Sequence, residues 1–240
     1  MTSLLVTGGT GNLGRPTVEH LRAAGHTVRV LSRRTGPGLV TGDLTTGNGL
    51  RAAADGVDLI VHLATAQGKK DIQQTRNLLD AAPASMHVLY MSIAGIDRIP
   101  LAYYQHKLEA ERLIESRASY TILRATQFHN LLDRVFSMKT GPIFAPAAAL
   151  QPIAVSDVAT RLTELVGEPV IGRAADIGGP EVRPVPELAR AWKAARGSRR
   201  PVLPVRVPGK MFRAFVDGYA NVDGPPYGTI TFDDYLGGKQ

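Results

Sequence analysis

The sequence predicts an α/β fold built on a doubly wound parallel sheet. Three observations carry that expectation. Short, nearly all-apolar runs alternate with helical patterns through the first 138 residues. The apolar runs lack the in–out alternation of a half-exposed strand, as expected for a sheet covered on both faces. The first run, Leu4 to Thr7, passes through a glycine-rich turn straight into a helix.

That first crossing is Thr7-Gly8-Gly9-Thr10-Gly11-Asn12-Leu13-Gly14, with Gly8, Gly11 and Gly14 spaced three apart. Leu13, Thr17, Leu21 and Ala24 then fall at helical spacing, and Gly25 closes the helix. Strand, tight turn and helix together make the context in which such a glycine set cradles a dinucleotide. Glycine tolerates positive φ, admits a pyrophosphate close to the backbone at Gly11, and lets the helix pack tightly at Gly14. The amides near Asn12 and Leu13 open the helix, where unpaired N–H groups and the dipole favour an anion.

The next strand spans Thr27 to Leu31 and ends at Ser32-Arg33-Arg34. In this architecture the residue past the second strand meets the adenosine ribose. An acid there selects a 2′-hydroxyl; arginine accommodates a 2′-phosphate. Two arginines and no acid favour NADP(H) over NAD(H). A short strand at Leu39-Val40, a helix over 49–54, a strand over 58–63, a helix over 71–82 and a strand over 87–91 follow. After Ser92 and a loop come a helix over 102–116, a strand over 120–123 and a helix over 126–138. Beyond Gly141-Pro142 the pattern loosens. A short strand is expected at 151–154, a helix capped by Ser156-Asp157 and running to Val166, and a late strand at 174–178. A helix over 186–196, an extended 201–208 and a helix over 209–219 complete the chain. The 240 residues read as one domain, 1–240, to which about residues 140–240 add a smaller lobe on the substrate side, over the carboxyl ends of the strands.

Composition narrows the classes. There is no cysteine, so no disulfide framework and no thiolate chemistry; this suits a reducing cytoplasm. No apolar run reaches membrane-spanning length, and the chain enters a strand at once, leaving no leader peptide in view. The net charge of +7 is scattered, with short clusters only at 33–34, 69–70 and 199–200, and no nucleic-acid motif accompanies it. A small-molecule partner and an anionic cofactor fit that charge better than nucleic acid.

Catalytic candidates follow the fifth strand. Tyr103 and Lys107 stand four apart at the start of a helix, on one face. An ammonium near a phenol lowers its pKa, and such a tyrosine can exchange a proton with a carbonyl or alcohol. Ser92, at a strand end, is placed to polarise the same group. Tyr104 is a rival with an offset of three. His62, His87, His106 and His129 show no metal-ligand spacing, and no metal site is expected. Glu109 and Glu111 are read as helix-surface pairs. Phe128, His129 and Phe136 are the substrate-side candidates, with core packing as the competing use of the aromatics.

The chain resembles an atypical short-chain dehydrogenase/reductase of the NmrA-like kind. The residues that carry the resemblance are Thr7 to Gly14, Arg33, Asp43-Leu44, Met91-Ser92, Tyr103 to Lys107 with Glu111, Ile122-Leu123-Arg124 and Val155 to Ala159. It covers about the first 180 residues. The resemblance implies a Rossmann-type NAD(P) site in which Asp43 and Leu44 line the adenine, Ala64 and Thr65 flank the ribose, and 126–128 lie near nicotinamide and substrate. It implies an NADPH-dependent reductase of a carbonyl or conjugated double bond in a small apolar substrate. Two alternatives use the same scaffold: a non-catalytic NADP-binding sensor or regulator, and a non-redox isomerase or cyclase. Atypical members often lose the tyrosine; this chain keeps Tyr103 and Lys107, which favours the enzyme.

Overall fold

A computed structural model describes residues 1–138, 141–168 and 172–238. The described chain divides into two compact units, one of 1–92, 102–124 and 158–175, the other of 93–101, 125–157 and 176–240.

The first unit carries the sheet. Its strands are β1 (Ser3–Thr7), β2 (Thr27–Ser32), β3 (Leu39–Thr41), β4 (Leu59–His62), β5 (His87–Ile93), β6 (Tyr120–Ala125) and β9 (Gly172–Arg173). Their spatial order is β3-β2-β1-β4-β5-β6-β9. β1 pairs in parallel with both β2 and β4, and β2–β3, β4–β5 and β6–β9 are parallel as well. The order reverses direction at β1, and that is the point where a doubly wound sheet opens a crevice at its carboxyl edge. The expected α/β fold with a doubly wound parallel sheet is therefore observed.

The helices of this unit are α1 (Gly14–Ala23), α2 (Leu50–Ala54), α3 (Lys70–Ala81), α4 (Ala102–Glu115) and α6 (Val155–Gly167), the first turn of α6 falling in the second unit. Successive strand side chains point to opposite faces. One buried cluster joins Leu5, Leu31 and Ile60 of the strands to Leu50 of α2 and Leu78 of α3. Another joins Val88, Tyr90 and Ile122 to Leu79, Ala110 and Ile114. Each fully buried Leu or Ile contributes roughly 1.5–3 kcal/mol of transfer free energy. These clusters hold the strand ends, and with them the site, in register.

The second unit contains α5 (His129–Ser137), β7 (Ile143–Pro146), β8 (Ala149–Leu150), β10 (Arg183–Pro184), α7 (Val185–Ala195), β11 (Val202–Val205), α8 (Lys210–Val216) and α9 (Phe232–Leu236). β10 pairs antiparallel with β8, and β11 parallel with β7. The extended 201–208 segment thus finds a partner in β7, and Pro204 is tolerated because the ladder has two strands only.

Several expectations are corrected here. Residues 151–154 form no strand; Ile153 makes a single bridge to Phe128. The late strand is Gly172–Arg173, and Ile177 makes only an isolated bridge to Ala125. α5 starts at His129, because the Thr126 amide bonds the Ile177 carbonyl and keeps the chain extended. Ser156-Asp157 do not cap α6. The helix begins at Val155, and the Asp157 carboxylate instead accepts from the Thr229 amide and hydroxyl and the Ile230 amide.

Candidate nucleotide-binding and catalytic site

The glycine turn has the geometry its spacing implied. Gly8 takes φ +71°, and a Cβ there would lie 2.7 Å from the Ala64 nitrogen. A Cβ on Gly14 would sit 2.1 Å from the Gly8 carbonyl oxygen, so only hydrogen fits. A Cβ on Gly11 would meet nothing nearer than that same oxygen at 3.1 Å; its outward side is open. The Gly11 amide donates to the Gly8 carbonyl at 2.9 Å, which closes the turn. The Asn12 and Leu13 amides find no acceptor among the described residues, and no side chain caps α1. No acid occupies its first turn. Donors, dipole and missing side chains fit a diphosphate held on main-chain amides. The residues present therefore suit a dinucleotide.

At the end of β2, the Arg34 amide donates to the Ser32 hydroxyl at 3.0 Å, and the Arg33 and Arg34 side chains are exposed with no partner among the described residues. A shallow cavity of about 250 Å³ adjoins the glycine turn, lined by Thr10, Arg15, Arg22, Gly38 and Leu39 among others. The Arg15 Nε donates to the Thr10 carbonyl at 3.1 Å. Arg15 and Arg22 were missed in the sequence, although Arg15 directly follows the third glycine. Asp43 shapes a turn, its Oδ1 accepting from the Thr45 amide at 2.8 Å. Leu44 packs on the apolar cluster, and its carbonyl accepts from Asn77 Nδ2 at 2.8 Å.

Strand ends and helix starts bring the catalytic candidates of the first unit together. α4 places Tyr103 and Lys107 one turn apart. Lys107 is buried; its ammonium donates to the Met91 carbonyl at 2.9 Å and lies 4.1 Å from the centre of the Tyr90 ring. Burial lowers its pKa to about 8, against the pull of Asp71 and Glu111. The Tyr103 hydroxyl lies 3.2 Å from Thr65 Oγ1. Burial pushes its pKa up, a hydrogen bond with Thr65 works against that, and the Asp71 charge adds to it. The expected lowering by Lys107 is overturned, because that ammonium is directed at Met91 and Tyr90 instead. Tyr104 is buried against Tyr103, ring centres 6.1 Å apart, so Tyr103 presents the half-open phenol. Ser92 is 2% exposed, and its hydroxyl has no partner among the described residues. Such an orphan costs about 1–3 kcal/mol and calls for a use.

His62 is a satisfied core histidine. Its Nδ1 lies 2.6 Å from Thr7 Oγ1 and its Nε2 3.1 Å from Thr75 Oγ1. Burial, then Lys107, lowers its pKa to about 3. Glu111 is corrected from a surface residue to a buried one. It receives Arg124 Nε at 2.9 Å and Nη2 at 2.5 Å, with both side chains at most 3% exposed. Asp71 was also missed: a buried carboxylate that accepts from Thr65 and the Ala66 amide.

The substrate-side candidates lie in the second unit. Phe128 is half-buried and extended before α5. His129 is buried, with Nε2 3.0 Å from the Pro152 carbonyl and its ring against both Phe232 and Tyr235, which stack on each other; burial lowers its pKa to about 4. Phe136 is buried beside Trp192, ring centres 6.1 Å apart. Among the described residues, no three His, Cys, Asp or Glu side chains gather as a metal site, and no helix is long and apolar enough to cross a membrane.

The family model for NAD(P)H-binding proteins matches residues 8–169, well over half of the chain, and the chain belongs to that family. Within it, the chain is of the atypical, NmrA-like short-chain dehydrogenase/reductase kind. A divinyl chlorophyllide a 8-vinyl-reductase from Oryza sativa subsp. indica is 28% identical over 226 residues, covering 75% of this chain and 55% of that protein. The chain spans about half the length of the curated relatives it matches. Among solved structures, a nucleoside-diphosphate-sugar epimerase from Staphylococcus aureus superposes with a TM-score of 0.78 at 18% identity, covering 98% of this chain and 99% of that one. An NADPH-dependent quinone oxidoreductase from Escherichia coli gives 0.77 at 17% identity, covering 98% of each chain. At those identities the likeness speaks for the fold.

Proposed function

We propose that the protein is an NADPH-dependent reductase of a carbonyl or conjugated double bond in a small, apolar organic molecule. The observation that carries this reading is the Tyr103 phenol, half-open at the strand ends and kept protonated by its surroundings. A protonated tyrosine is the donor that a reduction needs. When bound, the reduced nicotinamide supplies the hydride. The amides from Gly8 to Gly14, with Thr10 at the turn, hold the diphosphate; Ser32, Arg33 and Arg34 take the 2′-phosphate end. Asp43 and Leu44 border the adenine, and Ala64, Thr65 and Lys107 the ribose. Ser92 donates its unpaired hydroxyl to the substrate oxygen, and Tyr103 delivers the proton. Phe128, His129 and Phe136 belong to the second unit, where His129 and Phe136 are buried in its own packing, and they take no part in this reading. The rice relative is a vinyl reductase and the E. coli neighbour a quinone oxidoreductase, and both support a reductive chemistry. No nucleic-acid or membrane partner enters this reading, and the cytoplasm is its compartment.

The test is nucleotide titration followed by a panel of quinones, enones and aldehydes, reading NADPH consumption. NADPH binds more tightly than NADH, and at least one class is reduced. Tyr103→Phe lowers turnover by about 10²–10⁴-fold, the usual worth of a positioned proton donor, and leaves nucleotide affinity in place. Binding without consumption of any acceptor would instead establish a sensor. Turnover with no net change in cofactor would establish an isomerase, cyclase or epimerase.

A further inference from the structure

We propose that Asp71 is a positioning residue for Tyr103: acting through Thr65, it fixes the direction of the Tyr103 hydroxyl and so commits the site to donating a proton. This rests on the reading of Tyr103 as the proton donor.

The argument is one of hydrogen-bond polarity. Asp71 stands in the first turn of α3 and is 3% exposed. Its Oδ2 accepts the Thr65 hydroxyl at 2.7 Å, and its Oδ1 accepts the Ala66 amide. No basic side chain pairs with it among the described residues. A threonine hydroxyl has one proton, and here Asp71 takes it. Thr65 Oγ1 is left as an acceptor only. It receives the Gln67 amide at 3.1 Å, and the Tyr103 hydroxyl 3.2 Å away must therefore donate to it. Gln67 itself has φ 57°, a left-handed value rare outside glycine. Strain of this kind persists where surrounding contacts over-determine it.

The other groups facing Tyr103 do not reverse this. Lys107, one turn on along α4, is directed at the Met91 carbonyl and the Tyr90 ring. Glu111 is neutralised by Arg124. Tyr90 and Tyr104 are buried phenols. A buried carboxylate one hydroxyl away, with no ion pair among the described residues, opposes a phenolate. Thr65 could stabilise that phenolate only by turning its proton toward Tyr103, and Asp71 competes for the same proton. The site thus resists the phenolate that oxidation of an alcohol would require and keeps the phenol that reduction uses.

Asp71→Asn inverts the chain. The amide oxygen still accepts from Ala66, the amide nitrogen now donates to Thr65, and the Thr65 proton turns to Tyr103. The experiment is ¹⁹F NMR titration of the full chain carrying 3-fluorotyrosine, with the Tyr103 signal assigned by Tyr103→Phe. Asp71→Asn should move the Tyr103 titration down by about one pH unit or more. In a Thr65→Val background the same substitution should move it by less than about a third as much. Should Asp71→Asn fail to fold, Thr65→Ala replaces it, and its Tyr103 signal also titrates lower. A signal that stays put or rises in Asp71→Asn, or an equal shift without Thr65, overturns the proposal. The alkaline limb of the reduction rate then separates the two readings. If the NMR titration moves and the limb does not, Asp71 tunes Tyr103 but Tyr103 is not the acid.

Discussion

Each unit sets a carboxylate among aromatic neighbours, Asp71 buried and Asp133 half-buried, and the two are treated in opposite ways. In the second unit Asp133 accepts from Trp192 Nε1 at 2.6 Å, Arg196 Nη2 at 2.8 Å and the Tyr235 hydroxyl at 3.0 Å. Burial works to raise its pKa, but those three donors hold it below the usual carboxylate range. Tyr235 is pushed up to about 12 in return. In the first unit Asp71 receives a hydroxyl and an amide and no cation. Asp133 is consumed by its own bonds and ties α5 to α7 and α9. Asp71 acts electrostatically on Tyr103, Tyr90 and Lys107. A buried charge that is fully matched holds structure together; one left unmatched next to an open crevice acts on what enters it.

Breaking the matched pairs should cost the most. Glu111→Ala removes the carboxylate that takes both Arg124 Nε and Nη2, and breaking a buried pair of this kind typically costs about 3–5 kcal/mol. Denaturant unfolding should show that drop, with nucleotide binding lost only as the fold is lost. Asp133→Ala removes three bonds at a partly open site, and a loss of about 2 kcal/mol is expected from deletion of a capped, charged acceptor. It should leave the affinity of the first unit for NADPH unchanged, measured by calorimetry. If Asp71→Asn costs as much stability as either of these variants, the contrast between matched and unmatched carboxylates is wrong.

Acid sharpens the comparison with a smaller effect. His62 stays neutral in the folded chain with its pKa lowered from 6.5 to about 3. The unfolded chain therefore binds a proton that the folded chain refuses, and stability falls as pH drops from 6.5 toward 3. His129, lowered from 6.5 to about 4, adds to the same decline down to about pH 4, and each of the two groups contributes a slope of at most about 1.4 kcal/mol per pH unit. Asp133, also lowered, adds its loss only below the ordinary carboxylate value of 3.8. Melting temperature should decline from pH 6.5 downward and steepen below 4. A flat profile between 6.5 and 5 would mean that His62 gains a proton without cost.

The legible parts of the chain were those decided locally. The glycine turn, the β2 arginines and the Tyr103–Lys107 offset each lie within a few residues, so spacing alone placed them. Positions that depend on distant partners were not legible. Asp71 and Thr65 are six apart and meet across a turn in which Gln67 adopts a left-handed backbone, and nothing in a glutamine announces that turn. Glu111 had the look of a helix-surface acid until Arg124 of β6 was found opposite it. β7 and β11 are 59 residues apart in register, and neither carries the alternation that would reveal its partner. Asp157 read as a cap because it stands near a helix start, yet its carboxylate belongs to 229–230. The direction of the Tyr103 shift was misjudged for the same reason: four residues along a helix give proximity, but the tip of a lysine goes where a carbonyl is available.

One consequence of the β2 terminus concerns how such a protein can change over evolutionary time. Arg33 and Arg34 lie exposed on a short turn pinned by Ser32, with no bond tying either guanidinium to the scaffold among the described residues. Whatever discrimination they impose between phosphorylated and plain adenosine can be rewritten by lineages or engineers at almost no thermodynamic penalty. Coenzyme preference in this chain is detachable from the architecture that supports it.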